Sequence, residues 1–125
     1  MKLYSFEKLD CWQKARELCV FVYRNTSSFP TEEKYGMISQ MRRAVVSIAS
    51  NIAEGSSRLS TKEQLHFSVI AYSSTIELLN DFIIAFDLNI INEEVYIEAR
   101  NRIEILTLLI SQLRKAQLEK SIMPS

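Results

Sequence analysis

Two adjacent arginines, Arg42 and Arg43, are the residues of this 125-residue chain that come closest to a chemical motif. Paired arginines are typical of sites that bind a phosphate or a carboxylate through forked hydrogen bonds. The surrounding residues 40–55 have the pattern of a helix, in which neighbouring side chains diverge by about 100°. The two guanidinium groups therefore cannot act as one clamp on one anion, which argues against a phosphate fork.

The same segment carries polar and small side chains along one face of the predicted helix. At helical spacing they lie within about 100° of one another: Gln40, Arg43, Ser47, Ser50, Asn51 and Glu54. The opposite side is apolar and consists of Met37, Met41, Ala44, Val45, Ile48 and Ile52. This pattern predicts a helix that lies with its apolar side against a core.

A polar network between helices is the structural role that we predict for five residues: Arg42, Arg43, Asn51, Glu54 and Glu77. In a hairpin centred near residue 57, Arg42 lies level with Ser73, within about one turn of Glu77. Pairs of this kind set register more than net stability, because desolvation offsets much of the attraction. The alternative is that these residues form a solvated stripe.

Further basic residues are candidates for contact with RNA or DNA, together with Arg42 and Arg43: Arg58, Lys62, Arg100, Arg102, Arg114 and Lys115. Repeated around an oligomer, such residues would form a multivalent surface. The chain as a whole lacks the strong positive field of a dedicated nucleic-acid binder, because its 15 basic and 15 acidic side chains cancel. The alternative is that these exposed charges serve only solubility.

Enzymatic chemistry has little support in the sequence. His66 is the only histidine, no cluster of Cys, His and Asp has the spacing of metal ligands, and no glycine-rich loop could cradle a phosphate. Cys11 and Cys19 lie on one predicted helix, about 12 Å apart along its axis, which is too far for a disulfide. We expect no enzyme: no catalytic residue, no cofactor, no metal and no small-molecule substrate.

Length and composition indicate one soluble domain over residues 1–125. A chain of this size that is 47% hydrophobic can bury a core without disulfides or metals. Its amino end has no signal-peptide pattern, and no uninterrupted apolar run approaches the roughly 20 residues that span a bilayer. We therefore expect a cytoplasmic protein with no membrane partner.

Only two glycines and two prolines interrupt the chain, which favours long helices over sheet. Four helices are predicted, at about residues 9–26, 32–55, 61–88 and 93–119. The connections between them are short, so consecutive helices should be antiparallel neighbours. The predicted fold class is all-α, an antiparallel up-down-up-down four-helix bundle.

Capping signals support these boundaries. Pro30 ends the first helix, and Thr31 is a good N-cap for the second. Gly55 stands at a natural C-cap position of the second helix. Ser60 opens a capping box at the start of the third helix, and Asn92 caps the fourth.

The third and fourth predicted helices carry more apolar residues than one core can take. The fourth has an apolar seam at spacings of three and four, formed by Tyr96, Ala99, Ile103, Leu106, Ile110 and Leu113. It also has a second apolar set, Ile105, Leu108 and Leu109. Because soluble monomers seldom expose large apolar patches, we predict self-association. The alternative is a monomer in which the third helix is the most central.

Residues 6–77 resemble a known family in order and spacing, with Met37 standing in place of its usual leucine. The matching residues are Phe6, Leu9, Trp12, Ala15, Val22, Tyr23, Phe29, Pro30, Glu33, Tyr35, Gly36, Gln40, Arg42, Arg43, Ala44, Ser47, Ile48, Asn51, Ile52, Ala53, Glu54, Gly55, Ser74 and Glu77. They are similar to the small bacterial four-helix bundle proteins called 23S ribosomal RNA intervening-sequence proteins. The resemblance implies a homo-oligomer, with a pentameric ring as the expected arrangement, and no known catalytic activity.

That family in turn looks like the accessory protein of diversity-generating retroelements, a pentameric bundle whose basic surface engages nucleic acid and a reverse transcriptase. The balanced charge of this chain departs from that basic character. We predict a non-catalytic homo-oligomeric scaffold that presents a surface to an unknown partner. The alternative is a nucleic-acid-binding accessory protein.

Overall fold

Four α-helices make up most of the protein. In the computed structural model they are α1 (Asp10–Thr26), α2 (Ser39–Ser56), α3 (Thr61–Asp87) and α4 (Glu93–Ile122). The structure describes the backbone of residues 1–122 and the side chains of residues 1–120, and no strand occurs in that part of the chain. The predicted all-α, four-helix fold is confirmed. Residues 123–125 of the predicted domain lie outside the described residues.

Each helix runs antiparallel to the next. Gln40 at the start of α2 contacts Asp81 near the end of α3, and Ser68 near the start of α3 contacts Gln117 near the end of α4. Thr26 at the end of α1 lies beside the start of α2. α1 also packs against α4, so the four helices surround one core in chain order. This is the up-down-up-down arrangement of the prediction.

All four helices contribute to the core. The largest side chains that are fully buried are Leu18, Val22, Met41, Val45, Ile48, Ile52, Leu78, Phe82, Ile103, Leu106 and Ile110. The apolar side predicted for α2 faces this core, although Met37 is only half-buried. The core therefore follows from the helical periodicity of the apolar residues.

The start of the second helix departs from the prediction. Its first two predicted turns are a 3₁₀ turn (Thr31–Glu33) and a π-helical turn (Lys34–Ile38), and the regular α-helix begins after them. Gly36 interrupts the helical path with φ −107° and ψ −105°. Thr31 lies inside the 3₁₀ turn and is not an N-cap. Glu33 takes that role for the π-helical turn, because its side chain accepts a hydrogen bond from the Met37 amide at 3.3 Å.

Gly55 lies inside α2 and is not its C-cap. The helix continues to Ser56, and the following Ser57 keeps a right-handed conformation (φ −88°). Gly55 is buried against α3, where a Cβ on it would lie 3.0 Å from the Cβ of Phe67. The missing side chain therefore serves the close approach of two helices, not a turn.

Ser60 and Asn92 are the N-caps of α3 and α4, as predicted, although at Ser60 the structure gives one hydrogen bond and not the reciprocal pair of a capping box. The Ser60 hydroxyl accepts a hydrogen bond from the Glu63 amide at 3.0 Å. The Asn92 side chain accepts one from the Val95 amide at 2.8 Å. Both caps satisfy amides that the first helical turn leaves without partners.

By length and composition alone, α3 is long and apolar enough to cross a membrane. Its apolar residues are interrupted by polar ones, among them Glu77, Asn80 and Asp81, so the helix is not the uninterrupted apolar run of about 20 residues whose absence the sequence analysis noted. In the fold α3 packs between α2 and α4, and it buries four polar side chains: Ser68, Ser74, Thr75 and Asp81. These features are typical of a helix that contributes to the core of a bundle.

Candidate functional site: polar seams and exposed faces

The five residues predicted to form one interhelical network lie apart. Arg42 lies against α1, whereas Arg43 and Glu77 are exposed. Glu54 forms only a surface ion pair with the next turn, at 3.8 Å. Asn51 donates a hydrogen bond to a carbonyl of its own helix at 2.8 Å. The predicted network is therefore wrong as a single unit.

The side of α2 on which Arg42 lies explains this difference. Gln40 pairs with Asp81 and Ser47 pairs with Ser74, so the hairpin is centred near residue 60 and not near residue 57. This register leaves Arg42 within about one turn of the level of Glu77, so height along the bundle does not separate the two residues. Arg42 lies about 200° around the helix from Gln40, which faces α3, so Arg42 faces α1.

A different set of polar side chains joins α2 to α3. Gln40 Nε2 donates to Asp81 Oδ1 at 3.0 Å, and the hydroxyls of Ser47 and Ser74 share a hydrogen bond at 2.9 Å. Asp81 is only 2% exposed, and its Oδ2 has no hydrogen-bond partner among the described residues. Burial, with a smaller effect from the carboxylate of Glu77, raises the pKa of Asp81 to about 6.

Arg42 joins α1 to α2. Its Nε donates to Thr26 Oγ1 at 2.9 Å, and its guanidinium lies over the ring of Tyr23, 4.6 Å from the centroid. A weaker contact reaches the carbonyl of Tyr23 at 3.4 Å. These contacts place a positive charge at the carboxyl end of α1, where the helix dipole favours a cation.

The candidate nucleic-acid contacts are divided between the two ends of the bundle. The start of α3 and the end of α4 share one end, which holds Arg58, Lys62, Arg114 and Lys115. The other end holds Arg100 and Arg102. Each of the four arginines lies over an aromatic ring, at centroid distances of 4.8 to 5.6 Å. The structure therefore brings four of the six candidates to one end and separates the other two.

An exposed apolar surface covers the α3–α4 side of the bundle. Five of its side chains are 44–60% exposed, and we call them the α3–α4 face: Val69, Ile76, Ile97, Ile105 and Leu108. Beside them lies an open groove of about 680 Å³, lined by Tyr72, Asn101, Glu104, Ile105, Thr107, Leu108 and Ser111. Two members of the second apolar set predicted for α4 thus lie outside the core, whereas Leu109 is half-buried.

A smaller apolar patch lies on the opposite side of the bundle. Val20, Tyr23 and Val46 are 42–47% exposed there, and with Arg43 and Ser50 we call them the α1–α2 face. Tyr23, Arg43, Val46 and Ser50 line an open groove of about 530 Å³. The sequence analysis missed this face, because only the pairing of α1 with α2 brings these residues together. The available signal was that Val20 and Val46 occupy positions of their helices that do not face the core.

The remaining chemically capable side chains lie apart. Cys11 is buried and Cys19 half-buried, and both are free thiols. Burial raises the pKa of both, that of Cys11 to about 11. His66 is exposed, with its ring 5.4 Å from that of Phe67. Within the described part of the chain, no group of three or more His, Cys, Asp or Glu could hold a metal ion.

Comparisons with known proteins agree with this architecture. The sequence model of the family described as 23S rRNA-intervening sequence protein matches residues 7–112. The chain is also similar to a solved structure, a protein of unknown function from the S23 ribosomal protein family of Bacteroides thetaiotaomicron. The two are 21% identical, with a TM-score of 0.76 over 84% of this chain and 95% of that one, a likeness that shows the fold. No curated protein matches the chain.

Proposed function

Because the chain belongs to the family of 23S rRNA-intervening sequence proteins, we propose that it is a non-catalytic bundle that assembles with copies of itself as an interaction scaffold. The α3–α4 face is the observation that carries this proposal. Its five aliphatic side chains are 44–60% exposed on one side of the bundle. Soluble monomers seldom leave an extended apolar patch uncovered, and a second copy of the chain is the proposed cover.

The composition of this face supports an interface. Its apolar side chains border a groove whose polar lining comes from Asn101, Glu104, Thr107 and Ser111. An apolar centre with a polar rim is typical of protein–protein interfaces. Following the resemblance to the family, we propose a ring of five copies. The two free thiols support a reducing location, and we place the assembly in the cytoplasm.

Size-exclusion chromatography with light scattering tests this proposal. We expect the wild-type chain to elute as a multimer at micromolar concentration. The Leu108→Glu variant should elute as a monomer with unchanged helical circular dichroism, because Leu108 is exposed and lies outside the core cluster. Leu59→Glu is the matched control: Leu59 is fully exposed in the α2–α3 connection, so its mass should stay that of the wild type. A monomeric wild-type chain would contradict the proposal.

The alternative function is an RNA- or DNA-binding accessory protein. It is favoured by the placement of Arg58, Lys62, Arg114 and Lys115 toward one end of the bundle, since a ring would repeat this basic end in every copy. A gel shift with fluorescent single-stranded RNA and DNA tests it. Binding at about 50 mM salt that weakens at about 200 mM would support this function, and absence of binding at the lower salt would dismiss it. Lys62→Glu with Lys115→Glu should abolish such binding, and Lys34→Glu at the other end should not.

A further inference from the structure

We propose that the α3–α4 face of one copy packs against the α1–α2 face of the next, so that the assembly forms head to tail. This inference rests on the proposed self-association and names the surface that receives the α3–α4 face. The two faces lie on opposite sides of the bundle, because the helices surround the core in chain order. Contact between two different faces is heterologous, and repeated heterologous contacts form closed rings or filaments, whereas a two-fold dimer uses one face twice.

The two faces have complementary charge. Glu104 is the only charged side chain that lines the groove beside the α3–α4 face. The groove at the α1–α2 face is lined by two arginines and no carboxylate. Arg42 is held against Tyr23, which leaves Arg43 as the guanidinium that a neighbour can reach. Among the described residues no ion pair within 4.0 Å involves Glu104 or Arg43, so each is open to a partner on another copy.

Two arginines lie near the α3–α4 groove, and neither forms an ion pair with Glu104 among the described residues. Arg114 lies over the ring of Tyr72, 5.6 Å from the centroid. Arg100 lines an adjoining hollow, but its Nη1 donates to the hydroxyl of Tyr96 at 2.8 Å and its guanidinium lies over the same ring. The arginine is therefore directed along α4, toward its own helix. Glu104 keeps an exposed carboxylate at the centre of the face.

The residues proposed to meet across the contact, Val46 with Leu108 and Arg43 with Glu104, also lie at the same height along the bundle. The α2–α3 contacts place Val46 opposite Thr75, and the α3–α4 contacts place Thr75 within about one turn of Leu108. By the same register, Arg43 lies within about one turn of Glu104. In a closed ring whose axis is parallel to the helices, neighbouring copies differ by a rotation without translation, so only groups at equal height meet. Both pairs meet this requirement.

The shape of the α1–α2 face suits a helix from another copy. Next to Val46, α2 presents the small side chains of Ala49, Ser50 and Ala53. Small residues let a second helix approach closely, and larger side chains such as Leu108 then fit between them. Self-pairing of the α3–α4 face would instead leave the apolar α1–α2 patch uncovered and bring two Glu104 side chains toward one another.

A complementation experiment tests the head-to-tail contact. Leu108→Glu removes the α3–α4 face, and Val46→Glu removes the α1–α2 face. Each variant alone should be monomeric, because every contact in the assembly needs one face of each kind. An equimolar mixture should form a 1:1 heterodimer and stop there, since each variant keeps the face that the other has lost. Native mass spectrometry with one variant isotopically labelled counts the copies, and circular dichroism checks that both are folded.

The outcomes separate this inference from the proposed function. If Val46→Glu assembles like the wild type while Leu108→Glu does not, the α3–α4 face pairs with itself; the head-to-tail inference is then wrong and self-association stands. A monomeric wild-type chain would overturn both. Charge exchange gives an independent test: Arg43→Glu and Glu104→Arg should each raise the dissociation constant about tenfold or more, and the two together should restore it. Failure of the double variant to recover would also contradict the inference.

Discussion

Gln40 and Asp81 form a hydrogen bond that joins the start of α2 to the end of α3 and satisfies only half of a buried carboxylate. Gln40 Nε2 donates to Oδ1 at 3.0 Å, and Oδ2 has no partner among the described residues. Burial raises the pKa of this acid from 3.8 to about 6. Ionisation of Asp81 therefore opposes folding, because the charged form is better solvated in the unfolded chain.

The first prediction is that Asp81 makes the bundle less stable as pH rises. The pKa is higher in the folded chain than in the unfolded chain, so the folded state holds more protons between the two values. The contribution is full below the unfolded value and is lost as pH rises through about 6. A shift of this size corresponds to a loss on the order of 3 kcal/mol. Urea unfolding at several pH values measures it.

Asp81→Asn should remove this part of the pH dependence and raise the free energy of unfolding at pH above 6, because the amide oxygen still accepts from Gln40. Asp87→Asn is the matched control, since Asp87 is exposed on the same helix. That variant should keep the wild-type slope. Identical slopes in the wild type and in Asp81→Asn would show that Asp81 is not the responsible group.

The second prediction separates the two adjacent arginines. Arg42→Lys loses the bond to Thr26 and the stacking on Tyr23, because an ammonium group cannot reproduce the planar guanidinium. We expect a loss of about 1–2 kcal/mol in the free energy of unfolding. Arg43→Lys, the control, should change it by less than about 0.5 kcal/mol, because Arg43 is exposed. Equal effects in thermal or urea unfolding would contradict this assignment.

The third prediction concerns Glu77, which the sequence placed in a buried pair with Arg42. A buried pair predicts that Glu77→Gln costs more than about 1 kcal/mol. The structure places Glu77 on the surface, where its carboxylate only adds to the raised pKa of Asp81. We therefore expect no loss of stability, and a small gain at pH above 6. A clear decrease in the free energy of unfolding, measured in urea, would support the buried pair and contradict this placement of Glu77.

The helices and their caps could be predicted from the sequence because their signals are local. Ser60 and Asn92 each satisfy an amide three residues away, and such contacts depend on no other part of the chain. The core-facing side of α2 likewise follows from the spacing of its apolar residues. These features need no knowledge of how the helices meet.

The partners of polar side chains could not be predicted in the same way, because they depend on which neighbouring helix each side of a helix meets. Arg42 and Glu77 lie at nearly the same height, but Arg42 is on the side of α2 that meets α1, and the spacing of residues within α2 does not show which neighbour lies there. Gly36 is a weak point within the predicted second helix, but a glycine alone does not specify the π-helical turn that delays the start of α2. The α1–α2 face depends on two helices together, so Val20 and Val46, each outside the core-facing positions of its own helix, did not indicate a shared face.

The fourth prediction is that both thiols react slowly in the folded protein. The thiolate is the reactive form, and burial raises the pKa of Cys11 to about 11 and also that of Cys19. Cys19 is the less buried of the two, so iodoacetamide should modify it before Cys11. Mass spectrometry of timed samples measures both rates, with protein in urea as the control in which they should be similar. Fast modification of Cys11 in the native protein would show that the amino end of α1 opens readily.

The fifth prediction is that Gly55→Ala destabilises the bundle although alanine is the better helix former. Within a helix this change normally stabilises by up to about 1 kcal/mol. Here the new Cβ would lie 3.0 Å from the Cβ of Phe67, closer than van der Waals contact allows, so α2 and α3 must separate. Overpacking of this kind costs about 1–3 kcal/mol, which outweighs the gain in propensity. Ser73→Ala, at an exposed position of the facing helix α3, is the control and should change the free energy of unfolding little. An increase in the midpoint of urea unfolding for Gly55→Ala would mean that the α2–α3 seam has room for a methyl group and that its close approach does not require glycine.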